Sequence, residues 1–510
     1  MFMKMSKYMD IINDVEEHFN VDELVIDDTH IWPIIRYDIV TQLNPFFVSK
    51  RIGSTSRFMP LFRKIAVIVL STLRQFYATI RDYRNNSRFI KSDVLYLTNT
   101  IDLVKHEDRY YNRIIDPLYT KLNNQCIKGI IVETNSIGKY RIPRNNKSIF
   151  IQRVINSIVL YRNIINGPNK YSVSTESTLV KIESYIKNKY SVPISININK
   201  IRVEFNIIND LSRYFFRILK KNEIVTAIST QYYGRSGMAL NLACRRLNIT
   251  SADIQHGVEH DLHWAYGRWN KIPEAGYSLL PEIFICWSNA EKKVIQQWNS
   301  KVLSFHYPMA IGNMWLEELI NDLSPSSNRI KMTINSVKEK FFGFTHVLYT
   351  MQDDDIPEML LNSIEKTRDN CIWWIRLHPS KQDAFARVNN LLLQRNLNNI
   401  ILSEANELPL YNILQQMDKH ITAWSTVVIE ARDIGVKSIL IHENGAELYK
   451  NEITEGLAVF ADTDEKVIEI LSEDYWDSSS ANVMNHASND FTKLIVKILS
   501  RKNDPLNQVP

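Results

Sequence analysis

Short, continuous runs of apolar and β-branched residues recur along this chain, each followed by a stretch with helical spacing, and that rhythm leaves few folds open. Asp93-Val-Leu-Tyr-Leu-Thr98, Lys128-Gly-Ile-Ile-Val-Glu133 and Glu223-Ile-Val-Thr-Ala-Ile-Ser229 begin it; Thr250 to Gly257, Pro281 to Trp287 and Val302 to Gly312 continue it, with helices over Arg235–Leu247 and Asn289–Trp298. A strand that is apolar on both sides must be covered on both faces, which is the condition of a parallel sheet with helices above and below. The same rhythm restarts at His346–Thr350, Cys371–Arg376, Asn399–Leu402, Lys419–Ala423 and Lys437–Ile441. Between the two series lies the polar segment Asp322-Leu-Ser-Pro-Ser-Ser-Asn328, which reads as a linker.

With 510 residues the chain exceeds one core, so two sheets need two domains. The expected division is a helical region over 1–91, a first α/β domain over 92–320, a second over 321–475, and a helix and tail over 476–510. In open sheets of this kind ligands bind beyond the carboxyl ends of the strands. Two such domains would face a central cleft.

Composition narrows the function. Hydrophobic residues make up 45% and charged residues 23%, an ordinary globular balance that excludes disorder. A net charge of +5 suits phosphorylated substrates or anionic headgroups and is too small for a nucleic-acid binder. Cys126, Cys244, Cys286 and Cys371 form no CxxC pair, so neither a zinc cage nor a disulfide framework is expected, and a cytoplasmic setting fits. Charged residues interrupt Met1–Asn20, so it does not read as a signal peptide, and the run Ile65–Leu70 is too short to span a bilayer. From Arg57 to Lys91, eight cations alternate with apolar residues at helical spacing and Asp82 is the single acid. That pattern fits an interfacial helix on an anionic membrane, or equally a helix docked on the protein's own core.

Four clusters could carry chemistry. Ser425-Thr426, between the strand at Lys419 and a short helix that Gly435 ends, offers two hydroxyls and helix N–H groups to a phosphate, with Glu430 a helical turn further in, within reach of a ribose. An ordinary helix cap explains the same pair. Arg376-Leu-His-Pro379 follows a strand, and proline biases His378 towards an extended conformation from which it could meet a leaving phosphate. Gln255-His-Gly257, with Glu259, His260, Asp261 and His263, packs bases and acids at a strand tip; His256 or Asp261 could serve as a general base, and the spacing matches no common zinc pattern. Asp353-Asp-Asp355 ahead of Pro357 fits a helix start, with Asp354 free to act as a base.

The order of these segments resembles bacterial surface-polysaccharide glycosyltransferases of the GT-B fold, as found in capsule and lipopolysaccharide clusters. The carrying residues are Gln255-His-Gly257, Leu280–Ser288, Ile311-Gly-Asn-Met-Trp315, Arg376-Leu-His-Pro379, and Ser425-Thr426 with Glu430-Ala431 and Gly435. Acidic cluster, His-Pro and Ser-Thr in that order also look like sialyltransferases and Kdo transferases, although Asp353–Asp355 lacks the usual closing glycine. The resemblance implies transfer from a nucleotide-sugar held by the second domain to a growing, lipid-linked glycan held by the first, at the inner leaflet, as in O-antigen or capsule assembly. It implies no resident cofactor and no metal. Arg376 and His378 would attend the donor phosphate, Ser425 and Thr426 its oxygens, Glu430 the ribose, and His256 or Asp261 the acceptor hydroxyl. A polyol-phosphate transferase, a nucleotide-sugar epimerase and a non-catalytic polysaccharide-assembly protein are the alternatives.

Overall fold

A computed structural model describes residues 5–43, 91–106, 108–134, 141–165, 171, 173–299, 305–322, 324–472 and 487–502. The basic segment 57–90 and most of the expected tail lie outside these residues. The chain forms two compact units, one from Met1–Met314 with His486–Pro510 and the other from Trp315–Asn485. Each is built on a parallel sheet, so the protein is a two-domain α/β chain.

The sheet of unit 1 contains β1 (Val94–Asn99), β2 (Gly129–Thr134), β3 (Ser148–Phe150), β4 (Thr226–Ser229), β5 (Thr250–Ile254), β6 (Ile283–Cys286) and β7 (Tyr307–Ala310). They lie in the order β7-β6-β5-β4-β1-β2-β3, all parallel. The chain starts in the middle at β1, winds outward to β3, then returns to β4 and winds the other way. The point of reversal, between β1 and β4, is where such sheets open a crevice at their carboxyl edge.

Unit 2 repeats the plan. Its strands β8 (Thr345–Thr350), β9 (Cys371–Arg376), β10 (Ile400–Ile401), β11 (Lys419–Thr422), β12 (Ser438–Leu440) and β13 (Ala458–Phe460) lie in the order β10-β9-β8-β11-β12-β13, again all parallel. The reversal falls between β8 and β11. The expected linker Asp322–Asn328 overlaps the helix Pro325–Lys340: Ser324 caps it, its hydroxyl accepting from Ser327 N at 3.1 Å, and Pro325 fills the first turn. Among the described residues no helix is long and apolar enough to cross a membrane.

Within unit 1, helices α1 (Met5–His18) and α2 (Trp32–Leu43) are joined to each other by a buried ion pair. Glu16 and Arg36 are both 0% exposed and lie 2.6 Å apart. Glu16 also accepts from Trp32 Nε1 at 2.8 Å and Asn270 N at 2.7 Å, while Arg36 donates to Gly267 O at 2.8 Å and lies over the Trp269 ring. A helix from the far end of the chain completes the unit: Asp490, in α7 (Ala487–Lys502), accepts from Lys292 Nζ at 2.5 Å and from Ala310 N of edge strand β7 at 3.1 Å. Burial opposes charge on Asp490, but Lys292, Lys493 and that N–H outweigh it and hold its carboxyl at about 2.

Removing one member of a buried ion pair strands the other without solvation. Arg36→Ala and Glu16→Ala are therefore each expected to destabilise unit 1 by about 3–5 kcal/mol. Urea unfolding followed by hydrogen exchange in α1, α2 and residues 264–270 checks this, with the core of unit 2 as internal control.

Candidate functional site

The reversal of unit 1 holds a cavity of about 530 Å³. Its walls are the ends of β1 (Leu97, Thr98, Asn99) and β4 (Ser229), the loop from Thr230 to Gly234, the first turn of α5 (Arg235–Leu247), and side chains of α2, α3 (Gln152–Ile164) and α4 (Ile198–Lys221). The loop is drawn tightly onto the helix: a Cβ at Gly237 would lie 2.4 Å from Gln231 O and 2.5 Å from Tyr232 Cα, so only glycine fits. Gly234 provides no side-chain cap for α5, whose first residues line this end of the cavity.

Asp253, 1% exposed on β5, fixes the loop. Its carboxylate accepts from Ser229 Oγ at 2.9 Å, Tyr232 N at 2.8 Å and Tyr266 Oη at 2.8 Å. Burial raises its pKa to about 7, and these three donors only partly offset that. Neither Asp253 nor the Ser229–Gly237 loop stands out by residue type. Two signals were present in the sequence: an acid inside an apolar strand, and Gly234-x-x-Gly237 opening a helix directly after a strand.

His256 lies at the rim of this region. Its Nε2 is 3.2 Å from Tyr233 Oη, and Tyr233 lines the cavity. Its Nδ1 is enclosed and has no hydrogen-bond partner among the described residues. Burial, helped by the Arg113 cation, lowers its pKa to about 4, so the ring is neutral at physiological pH. Asp261 is held elsewhere. It receives Arg268 Nη2 at 2.7 Å and Nε at 3.2 Å, and His260 and Arg268 together keep its carboxyl well below the usual range. The rest of the histidine-rich tip has structural work: Gln255 accepts from Trp287 N at 2.6 Å, His260 Nδ1 from Leu262 N, and His263 Nδ1 from Ala265 N.

In unit 2 the candidates gather on one edge. Thr350 is in register with Arg376 on one side and Thr422 on the other, so β9, β8 and β11 end together at the reversal. His378 follows β9, Asp354 follows β8 and Ser425 follows β11, each within four residues of its strand end. Gln352 bridges the reversal, its Oε1 accepting from Trp424 N at 2.7 Å. Ser425 Oγ accepts from Val427 N at 3.3 Å, and Tyr449 Oη donates to Ser425 O at 2.6 Å, which fixes the turn. Thr426 is exposed at the N-cap of α6 (Val427–Asp433), and its hydroxyl makes no capping bond.

Other side chains on this edge are already engaged. Arg376 Nη1 donates to Ala405 O and Leu408 O, both at 2.6 Å, and burial lowers its pKa to about 10. Glu430, 2% exposed, points inward and accepts from Tyr411 Oη at 2.7 Å. His378 is exposed; loss of solvation and the nearby Lys381 cation both lower its pKa. Asp354 accepts from Lys381 Nζ at 2.5 Å, which holds it ionised. The acidic triplet does not cap a helix: the next one starts at Glu358 with Pro357 at the N-cap, and Asp355 lies 3.3 Å from Arg387.

No family model matches the chain, and no curated protein matches it significantly. Among solved structures it is similar to a UDP-GlcNAc 2-epimerase from Neisseria meningitidis bound to UDP-GlcNAc, at 14% identity and a TM-score of 0.48, covering 80% of this chain and 100% of that one. The UDP-GlcNAc 2-epimerase from Methanocaldococcus jannaschii gives 12% and 0.46, covering 80% and 99%. A glycosyltransferase from Rickettsia africae ESF-5 gives 13% and 0.40, covering 82% and 96%. Scores of this size carry no functional argument, and the two-sheet architecture stands on this chain's own strand order.

His420, in the middle of β11, cross-links the reversal of unit 2: Nε2 lies 2.9 Å from Thr350 Oγ1 and Nδ1 2.8 Å from Ser438 Oγ. Burial lowers its pKa to about 3. An unfolded histidine titrates near 6.5, so protons favour the unfolded chain below that value. The contribution of His420 is therefore complete above about pH 6.5 and is lost progressively as pH falls towards 3. In an NMR titration its ring protons should show no midpoint between pH 5 and 8; a midpoint there would mean an open ring.

Proposed function

We propose that the protein is a glycosyltransferase that moves a sugar from a nucleotide-sugar donor, bound by unit 2, to a glycan acceptor bound by unit 1. The carrying observation is that β9, β8 and β11 end in register and deliver His378, Asp354 and Ser425-Thr426 to one carboxyl edge at a reversal of strand order. An edge with hydroxyls, an exposed imidazole and a nearby half-buried cation suits a phosphate. In this reading Ser425 and Thr426 contact the phosphate oxygens, and His378, with Arg376 behind it, meets the charge that develops as the bond between the anomeric carbon and the phosphate oxygen breaks. Glu430 would reach a ribose only by giving up Tyr411, to which it is bound in this structure. Asp354, held ionised by Lys381, would serve as a base only by giving up that partner.

On the acceptor side, His256 is the better candidate for the hydroxyl proton, since Asp261 is committed to Arg268. The cavity in unit 1, lined by both polar and apolar side chains, offers a place for an acceptor, a second substrate that an epimerase does not need. A lipid-linked bacterial surface polysaccharide as acceptor, assembled at the inner face of the plasma membrane, is the setting that the resemblance supports.

Thermal unfolding with UDP, GDP, TDP, CDP and CMP tests the donor site. A nucleotide present at 100 times its Kd should stabilise the chain by about 2.7 kcal/mol, a shift of several degrees for a domain of this size. Ser425→Ala with Thr426→Ala should abolish that shift; an undiminished shift in the double variant overturns the assignment.

A further inference from the structure

We infer that the cavity at the reversal of unit 1 binds an uncharged, polyhydroxylated ligand: the terminal sugars of a neutral glycan rather than a phosphorylated, sulfated or uronic-acid-bearing one. This deepens the acceptor assignment above, yet it is argued from the cavity itself.

Charge is the first argument. Among the described residues four charged side chains line the space, and they form two pairs: Asp38 with Lys200, and Glu204 with Arg235 at 2.5 Å. The lining charge therefore sums to zero. The acids are the more enclosed members, at 9% and 23% exposure against 50% and 47% for the cations. Each cation is neutralised by the carboxylate beside it, so an anion entering the cavity would lose its water without gaining an uncompensated positive charge. A neutral ligand avoids that cost.

The uncharged lining supplies the attraction. Thr230, Gln231 and Ser236 all face the cavity, and their side chains make no hydrogen bond among the described residues. Hydroxyl and amide groups both donate and accept, as do sugar hydroxyls, so each can pair with a sugar whichever way that hydroxyl turns. Tyr37 and Tyr233 add rings, and Leu97, Ile208 and Met238 add apolar surface, against which the C–H faces of a sugar can lie. The volume falls within the range of about 300–1,000 Å³ that accommodates small ligands, enough for a short oligosaccharide.

The test uses the full chain and a set of di- to tetrasaccharides built on glucose, galactose, mannose and N-acetylglucosamine, beside matching members that carry uronic acid, sulfate or phosphate. Calorimetry should find binding to at least one neutral member, weakened roughly tenfold by Gln231→Ala with Ser236→Ala as two hydrogen bonds are lost. Ser425→Ala with Thr426→Ala should leave that binding unchanged. Because a change in the first turn of α5 could loosen the fold, amide exchange on the unaltered protein gives a second reading, with the neutral ligand protecting residues 229–238. Binding confined to charged members, no binding across the set, neutral binding untouched by the unit 1 variant, or protection only elsewhere would each overturn the inference. Oligosaccharide binding without any nucleotide-induced stabilisation would end the donor assignment and leave this one standing.

Discussion

Everything in this protein follows from parallel strands that are covered on both faces. Their amides and carbonyls can be satisfied only by lateral neighbours, and their side chains by apolar contact or, at a few positions such as Asp253 and His420, by buried hydrogen bonds. Polar function is pushed to the strand ends. Each sheet also begins in its middle and winds outward in both directions, which parts the loops at one place on the carboxyl edge. Gln352 bridging to Trp424 in unit 2, and Asp253 gripping Ser229 and Tyr232 in unit 1, are the polar groups that hold those parted loops in shape.

What could be read from the sequence divides along the same line. Cys371–Arg376 and Arg235–Leu247 form the strand and helix their patterns require, because a continuous apolar run and a 3.6-residue period are local properties. The edge strands Ser148–Phe150 and Ala458–Phe460 are short and only partly buried, too brief for a periodicity to declare itself. His378 and Ser425 could be picked out because each directly follows a recognisable strand. The loop from Ser229 to Gly237 follows one too, but its residues are those of any polar turn, and its value comes from Gly237 packed against Tyr232 and from Asp253 on the next strand, 24 residues after Ser229.

Residue type also says little about whether a charge is available. Arg376, Asp261 and Glu430 all look like site residues by position, yet each is already bound: Arg376 by two carbonyls, Asp261 by Arg268 and Glu430 by Tyr411. Helical arithmetic places Glu430 one turn into α6 correctly, but the direction of its side chain depends on a tyrosine nineteen residues earlier. Conversely, the buried Glu16–Arg36 pair links residues about 250 positions apart through Gly267 and Asn270, a partnership that no local pattern announces.

The helix over residues 487–502 returns to unit 1, which makes unit 2 an insertion in its host. During synthesis the order of completion is then reversed relative to the order of translation. Residues 315–485 have emerged in full while the older unit still lacks Asp490 against Lys292 and the open backbone of its outermost strand. Until that clasp arrives, the bare edge of β7 is a template for pairing with another nascent chain. A ribosome that stalls or stops between residues 315 and 486 would thus release a product whose first-made half, rather than its last, is the one prone to aggregate.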